Sequence, residues 1–196
     1  MDQEFEVKFL EINPKEVEQK LVKLGAKKVF DKVFRVRIFD YPDLRLHNDA
    51  AWFRVRDEGD KITMAFKKRL GIDTTGKAND LGMQEHEVEV NDFETACNIM
   101  FSLGLIQKFY EEKRRIRYLL DNLEFDIDHC PGIKPFLEIE APSWEKVDKA
   151  ISLLDLDPKD KKVCSAYQIY ETHGINMLEY EEFRFDSLVK RKKKIG

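Results

Sequence analysis

The chain has 196 residues, 42% of them hydrophobic and 37% charged, with a net charge of -4. That length suits one domain with its own core. The near balance of signs argues against a nucleic-acid binder, which needs a basic footprint, and no apolar run reaches the ~18 residues of a membrane span. Cys97, Cys130 and Cys164 are scattered and form no C-x-x-C pair. They point away from a disulfide framework or a cysteine zinc site and toward a cytoplasmic protein, each cysteine being read as a small buried hydrophobe.

Glu4-Phe5-Glu6-Val7-Lys8-Phe9 alternates charged and apolar residues, the period-2 signature of a strand. Asn13-Pro14-Lys15-Glu16 then opens a helix with a cap, a proline and a capping-box glutamate. Val17, Leu21 and Leu24 give it an apolar stripe and Gly25 ends it. A strand over 33–39, a turn at Tyr41-Pro42-Asp43 and a hairpin of 51–56 with 61–68 follow. Residues 71–82, rich in Gly, Thr, Asp and Asn, read as a mobile loop.

The pattern restarts with an acidic strand over 85–90 and a helix over 93–103 stopped by Gly104. Strands are predicted at 108–120, 123–128 and 136–140, with a turn at Pro131-Gly132 before the last. Ser143 caps a third helix carrying Trp144, Val147, Ala150, Ile151 and Leu154, and a fourth helix is predicted over 161–172. Residues 1–175 are read as the domain. Residues 176–196 are read as a C-terminal extension whose Lys190–Lys194 basic run is a solvated, mobile tail, a source of a lid lysine over the site, or a contact for acidic partners. The order of acidic strand, helix and basic strand occurs twice, from Glu4 to Arg37 and from Glu85 to Arg117. This weak repeat suggests a pseudo-symmetric antiparallel sheet decorated by helices, an α+β arrangement.

Residues two apart on a strand share a face. Glu4, Glu6 and Lys8 align, as do Arg54 with Arg56, and Glu85 with Glu87 and Glu89. Lys113, Arg115 and Arg117 align, as do Asp126 with Asp128 and Glu138 with Glu140, and Lys67 lies opposite Phe66. A generic wet face mixes signs within a strand and uses Thr, Ser and Gln freely. Here acids and bases are segregated by strand, and like charges two apart cost stability unless something binds between them. With helices to cover the apolar face, the charged face would line an interior, as in a closed barrel. Acidic clusters with few histidines suit Mg²⁺ or Mn²⁺, and clustered Arg and Lys suit phosphate oxygens. Together they describe a metal–polyphosphate site. His47, His129 and His173 are too irregularly spaced for a histidine metal site, and His86 reads as a packed core residue. Arg35 and Arg37 are read as lining a tunnel mouth or as surface arginines, and Trp52, Tyr118 and Trp144 as packing residues.

Glu4-x-Glu6-x-Lys8 resembles the E-x-E-x-K signature of CYTH domains, also called triphosphate tunnel metalloenzymes, which include class IV adenylyl cyclases and thiamine or inorganic triphosphatases. Arg54-Val-Arg56, Lys67, Glu85 with Glu87, Lys113-x-Arg115-x-x-Tyr118, and Asp126 with Asp128 before Phe136-Leu-Glu138-Ile-Glu140 resemble its later motifs in order, over about 1–172. The resemblance implies an eight-stranded antiparallel β-barrel, the triphosphate tunnel, with helices packed outside. It implies Glu4, Glu6, Glu138 and Glu140 as metal ligands, with Glu85 and Glu87 as further acidic candidates and either Asp126 or Asp128 in the late aspartate position. Lys8, Arg54, Arg56, Lys67 and Arg115 would hold the triphosphate, with Lys113 and Arg117 beside them, and Glu4, Glu6, Lys8, Arg56, Lys67 and Arg115 would carry catalysis. The implied cofactor is Mg²⁺ or Mn²⁺ and the implied partner is ATP, tripolyphosphate or thiamine triphosphate, with no nucleic acid, no membrane and a possible homodimer. The second half leans toward the cyclase branch, which converts ATP to cyclic AMP and pyrophosphate. The alternatives are a tripolyphosphatase or thiamine triphosphatase, and a polyphosphate- or nucleotide-binding module without turnover.

Overall fold

The computed structural model describes residues 3–70 and 83–196, with side chains from residue 5 onward. The predicted loop at 71–82 lies outside the described residues. The strands are β1 (Gln3–Phe9), β2 (Lys27–Asp40), β3 (Ala51–Asp57), β4 (Ile62–Arg69) and β5 (Met83–Val90). They continue with β6 (Ile106–Leu120), β7 (Leu123–His129), β8 (Phe136–Ala141), β9 (Tyr180–Phe183) and β10 (Leu188–Lys190). The order β6-β2-β3-β4-β5-β1-β8-β7 returns to β6 through the β6–β7 pairing, so eight antiparallel strands form a ring. This is the expected eight-stranded antiparallel α+β barrel.

Helices α1 (Pro14–Lys23), α3 (Phe93–Ser102) and α4 (Trp144–Leu153) lie outside the ring. Asn13, Asp92 and Ser143 cap them through side-chain oxygens that accept backbone N–H bonds. Gly25 and Gly104 follow α1 and α3 with φ of 81° and 84°, a left-handed turn that suits glycine. The outward residues Val7, Phe9, Phe125, Ile127, Leu137 and Ile139 form one core with Leu21 of α1 and Ile151 of α4. Phe39 and Val55 form another with Phe93, Cys97 and Met100 of α3. Both cores sit outside the ring, and its inner face carries the charged residues together with Phe34, Val36, Ile38 and Phe109 of a third apolar cluster.

Several elements differ from expectation. β2 is twice its predicted length because it pairs with β6 from Lys27 to Asp40, although its first half is largely exposed on both faces. A short helix, α2 (Arg45–Asn48), follows β2 and is held by the buried Asp40 carboxylate, which accepts from the N–H groups of Tyr41, Leu46 and His47. The fourth helix, α5 (Ala166–Thr172), starts later than expected. Lys162 is drawn into an extended bridge with Lys8, and Ser165 with Gln168 makes the capping box. β9 adds in parallel to β6 and β10 pairs with β9, while Lys192, Lys193 and Lys194 are exposed. His86 is exposed, contrary to its reading as a core residue, because it points outward from β5 where α1, α3 and α4 do not pack. Cys97 and Cys130 are buried, Cys164 is half-buried, and all three are free. Among the described residues no helix is long and apolar enough to cross a membrane.

Candidate active site

The ring encloses a cavity of about 690 Å³. Its lining includes Glu6, Lys8, Arg54, Arg56, Lys67, Glu85, Glu87, Lys113, Arg115, Arg117, Glu138 and Glu140. The inward alternation of six strands therefore brings most of the sequence candidates to one surface. The side chain of Glu4 lies outside the described residues. Asp126 and Asp128 do not line the cavity, being only 2% and 0% exposed behind the basic side chains of β6.

Strand register explains how the opposite signs meet. Arg54 and Arg56 on β3 sit opposite Ala65 and Thr63 on β4, which in turn sit opposite Glu87 and Glu89 on β5. The small residues on the middle strand let an arginine reach across it. Arg54 accordingly bonds Glu85 at 3.0 Å and Glu87 at 2.8 Å, and Lys67 bonds Glu85 at 2.7 Å. Across four further strands, Lys8, Glu138, Asp126 and Arg117 form one rung of alternating sign. Arg115 grips Asp128 at 2.7 and 2.8 Å, Asp126 at 2.5 Å and Glu138 at 3.2 Å. Lys113 adds a bond to Asp128 at 2.6 Å. Asp126 and Asp128 thus serve as anchors for the basic strand, and their oxygens are occupied by arginine and lysine.

Glu6, Glu138 and Glu140 place one carboxylate oxygen each within 4.8 Å of one another. Lys8 bridges two of them, at 3.0 Å to Glu6 and 2.9 Å to Glu138. Burial opposes ionisation of Glu6 and Glu138, but the nearby cations together outweigh it, Lys8 with Lys67 and Arg69 at Glu6 and Lys8 with Arg115 and Lys113 at Glu138, and both carboxyls are held below the usual range. Burial likewise opposes the Lys8 charge, yet Glu138 and Glu6 raise its pKa. Three converging carboxylates fit a hard divalent cation, since no histidine or thiolate belongs to the group. Glu85 and Glu87 lie apart from this trio, committed to Arg54 and Lys67.

Arg56 meets Glu58 at 2.6 Å and Glu87 at 3.7 Å, and its Nε, like that of Arg54, has no hydrogen-bond partner among the described residues. Burial and then Arg54 push its pKa down to about 10. A buried guanidinium in this condition gains from an anion more than an exposed one would.

Several lining residues were missed in the sequence. Arg69, 6% exposed and 3.2 Å from Glu6, shares the parity of Lys67 and was legible from that alternation. Glu111 and Glu124 share the parity of Lys113 and Asp126 and were legible in the same way. Lys108 was not, because a bulge turns it inward. Trp52, read as packing, also lines the cavity. Arg35 and Arg37 face outward, stacked on Phe93 of α3 and paired with Asp57 and Glu94.

Burial pushes the Lys108 ammonium down to about 8 from 10.5, although nearby Asp40 opposes the shift. Below pH 8 both folded and unfolded chains hold the proton and the full penalty applies. Between 8 and 10.5 the unfolded chain holds more protons, so stability rises with pH, and above 10.5 the penalty is gone. Lys108→Met is expected to stabilise the fold by roughly 2–3 kcal/mol at pH 7, a gain that disappears by pH 10.5. Urea denaturation of both proteins at the two pH values checks it.

The family model described as the CYTH domain matches residues 2–161. A Methanocaldococcus jannaschii protein named as a candidate adenylate cyclase is 28% identical over 173 residues, covering 88% of this chain and 90% of that protein. A solved structure of a candidate adenylate cyclase from Vibrio parahaemolyticus superposes with a TM-score of 0.73 at 13% identity, covering 87% of this chain and 98% of that one. A Hippeastrum candidate adenylyl cyclase, described as having a dominant triphosphatase activity, superposes with a TM-score of 0.62 at 14% identity, covering 88% and 96%.

Proposed function

Because this chain belongs to the CYTH family, we propose that it is a divalent-metal-dependent enzyme acting on ATP, with cyclisation to cyclic AMP and pyrophosphate as its first activity. The observation that carries this reading is the meeting of the Glu6, Glu138 and Glu140 trio with Arg54 and Arg56, each with an unpartnered Nε, in one cavity. Magnesium or manganese held by the trio would neutralise charge on the triphosphate. Arg56, Arg54 and Lys67 bind phosphate oxygens from the β3–β4 wall, and Lys113, Arg115 and Arg117 do so from β6. Lys8 keeps Glu6 and Glu138 ionised and aligned, and Arg115, fixed by two buried aspartates, is preorganised to meet developing negative charge. In the cyclisation the ribose 3′-hydroxyl releases its proton to solvent and its oxygen bonds to the α-phosphorus, while the bond to the bridging oxygen breaks and pyrophosphate leaves. The same wall accepts a water at the terminal phosphate instead, and the triphosphatase activity described for the Hippeastrum relative favours this second reading.

Products decide between them. Purified protein is given ATP, tripolyphosphate or thiamine triphosphate with Mg²⁺ or Mn²⁺, with and without chelator. Cyclic AMP plus pyrophosphate supports the first reading, and orthophosphate without a cyclic product supports the second. No chelator-sensitive product from any of the three would sink both. Arg56→Ala is expected to raise the apparent dissociation constant for ATP by about 10- to 100-fold, from the loss of roughly 1.5–3 kcal/mol in a charge-assisted bond. Calorimetric titration measures it, and an unchanged constant removes Arg56 from the phosphate wall.

A further inference from the structure

Lys108 is an extra residue in the pairing of β6 with β2: Gln107 pairs with Phe39 and Phe109 with Ile38, and Lys108 has no opposite number. Such a bulge turns a side chain away from its expected face, and Lys108 joins Phe109 in lining the cavity. The residue is 4% exposed. Its Nζ lies 2.9 Å from His47 Nδ1, and among the described residues no carboxylate oxygen forms an ion pair with it. The nearby Asp40 is committed to the backbone of α2. An ammonium has three donors, so two N–H groups have no acceptor within the protein's described residues. A buried, unpaired cation is costly unless something arrives to meet it.

The surroundings identify the chemistry of that arrival. The Tyr167 ring centroid is 5.6 Å from Lys108 Nζ and 5.0 Å from the His47 ring, and the Tyr167 hydroxyl donates to Asn176 at 3.2 Å, which fixes the ring. Phe109 and Met177 line the same part of the cavity. Burial and then Lys108 push the His47 pKa down, so the imidazole is neutral. Five residues of strand separate Lys108 from Lys113, roughly 16 Å, so the pair lies well along the wall from the phosphate-binding cations of β6. An aromatic wall with hydrogen-bond donors and a neutral imidazole suits a planar ring bearing nitrogen and oxygen acceptors. A bare polyphosphate would bury charge against the aromatic rings instead.

We propose that Lys108, His47 and Tyr167 form a head-group subsite that takes the heteroaromatic base of a nucleoside triphosphate and selects it over inorganic tripolyphosphate. The subsite rests on the triphosphate reading above and names the class of substrate for that cavity. Lys108 donates to ring nitrogen or carbonyl acceptors, and Tyr167 supplies a stacking face. Both act on affinity for the head group and leave the phosphate wall untouched.

Ligand-dependent thermal stabilisation, titrated with magnesium present, gives apparent affinities whether or not turnover occurs. The probes are ATP and tripolyphosphate against the wild type, Lys108→Met, His47→Gln and Tyr167→Leu. The wild type is expected to bind ATP about tenfold more tightly than tripolyphosphate, and each variant to lose most of that preference through ATP affinity alone. Equal losses for both ligands would assign Lys108 to the phosphate array and overturn the subsite. A preference unchanged in all three variants would overturn it too. A wild type stabilised by tripolyphosphate but not by ATP removes the subsite while sparing the triphosphate site, whereas stabilisation by neither removes both.

Discussion

Glu6→Gln is expected to lower metal-dependent turnover of ATP by roughly three orders of magnitude or more, with the barrel still folded. The amide keeps the shape of the side chain but removes one of the three carboxylates whose oxygens lie within 4.8 Å of one another. Its NH₂ group would also point a donor at a position that needs an acceptor. The fold survives because Lys8 keeps Glu138 at 2.9 Å, although Arg69 loses its contact with Glu6. Turnover is measured across a magnesium and manganese titration, with melting temperature recorded beside it. Glu85→Gln is the companion variant, since Glu85 lines the same cavity but is committed to Arg54 and Lys67. A deeper loss from Glu85→Gln than from Glu6→Gln would move the metal to β5. Wild-type activity in Glu6→Gln would dissolve the proposed trio.

The alternation of charge along single strands made the barrel legible, because a two-residue period states which side chains share a face. Glu6 with Lys8, Arg54 with Arg56 and Glu138 with Glu140 were all placed by that rule, and all line the cavity. Period alone gave no measure of depth. Asp126 and Asp128 share the inward parity of β7 yet end behind Arg115 and Arg117, because long arginines overreach short aspartates on the neighbouring strand. Departures from the period were also illegible. The bulge at Lys108 reverses the face of one residue, and nothing in Gln107-Lys108-Phe109 signals it. Among the described residues β5 meets β1 at Gln3 and Glu4, and Lys162 bridges Lys8 further along the same edge of β1. Such a meeting is a property of how segments come together around a ring, and no local window contains both partners.

Arg115→Met is expected to cost about 3–5 kcal/mol of stability at pH 7, more than the removal of any residue on the outer face of the ring. Arg115 is 7% exposed and joins three strands, holding Asp126 and Asp128 on β7 and Glu138 on β8. Without it three carboxylates face one another with only Lys8, Lys113 and Arg117 to compensate. Arg115→Lys should recover only part of the loss, because a single ammonium does not reproduce the paired bonds to Asp128 at 2.7 and 2.8 Å. Acid distinguishes this electrostatic cause from lost packing. In the wild type the Glu138 carboxyl titrates well below its ordinary 4.5, so its stabilising contribution is present above that value and lost as pH falls. The gap between wild type and Arg115→Met should therefore be widest near pH 7 and narrow by pH 3, as protonation removes the charges that the arginine balances. Urea denaturation at both pH values tests this. A gap that stays constant with pH would mean that Arg115 supports the ring by its bulk, and a gap below about 1 kcal/mol would mean that the buried cluster relaxes without it.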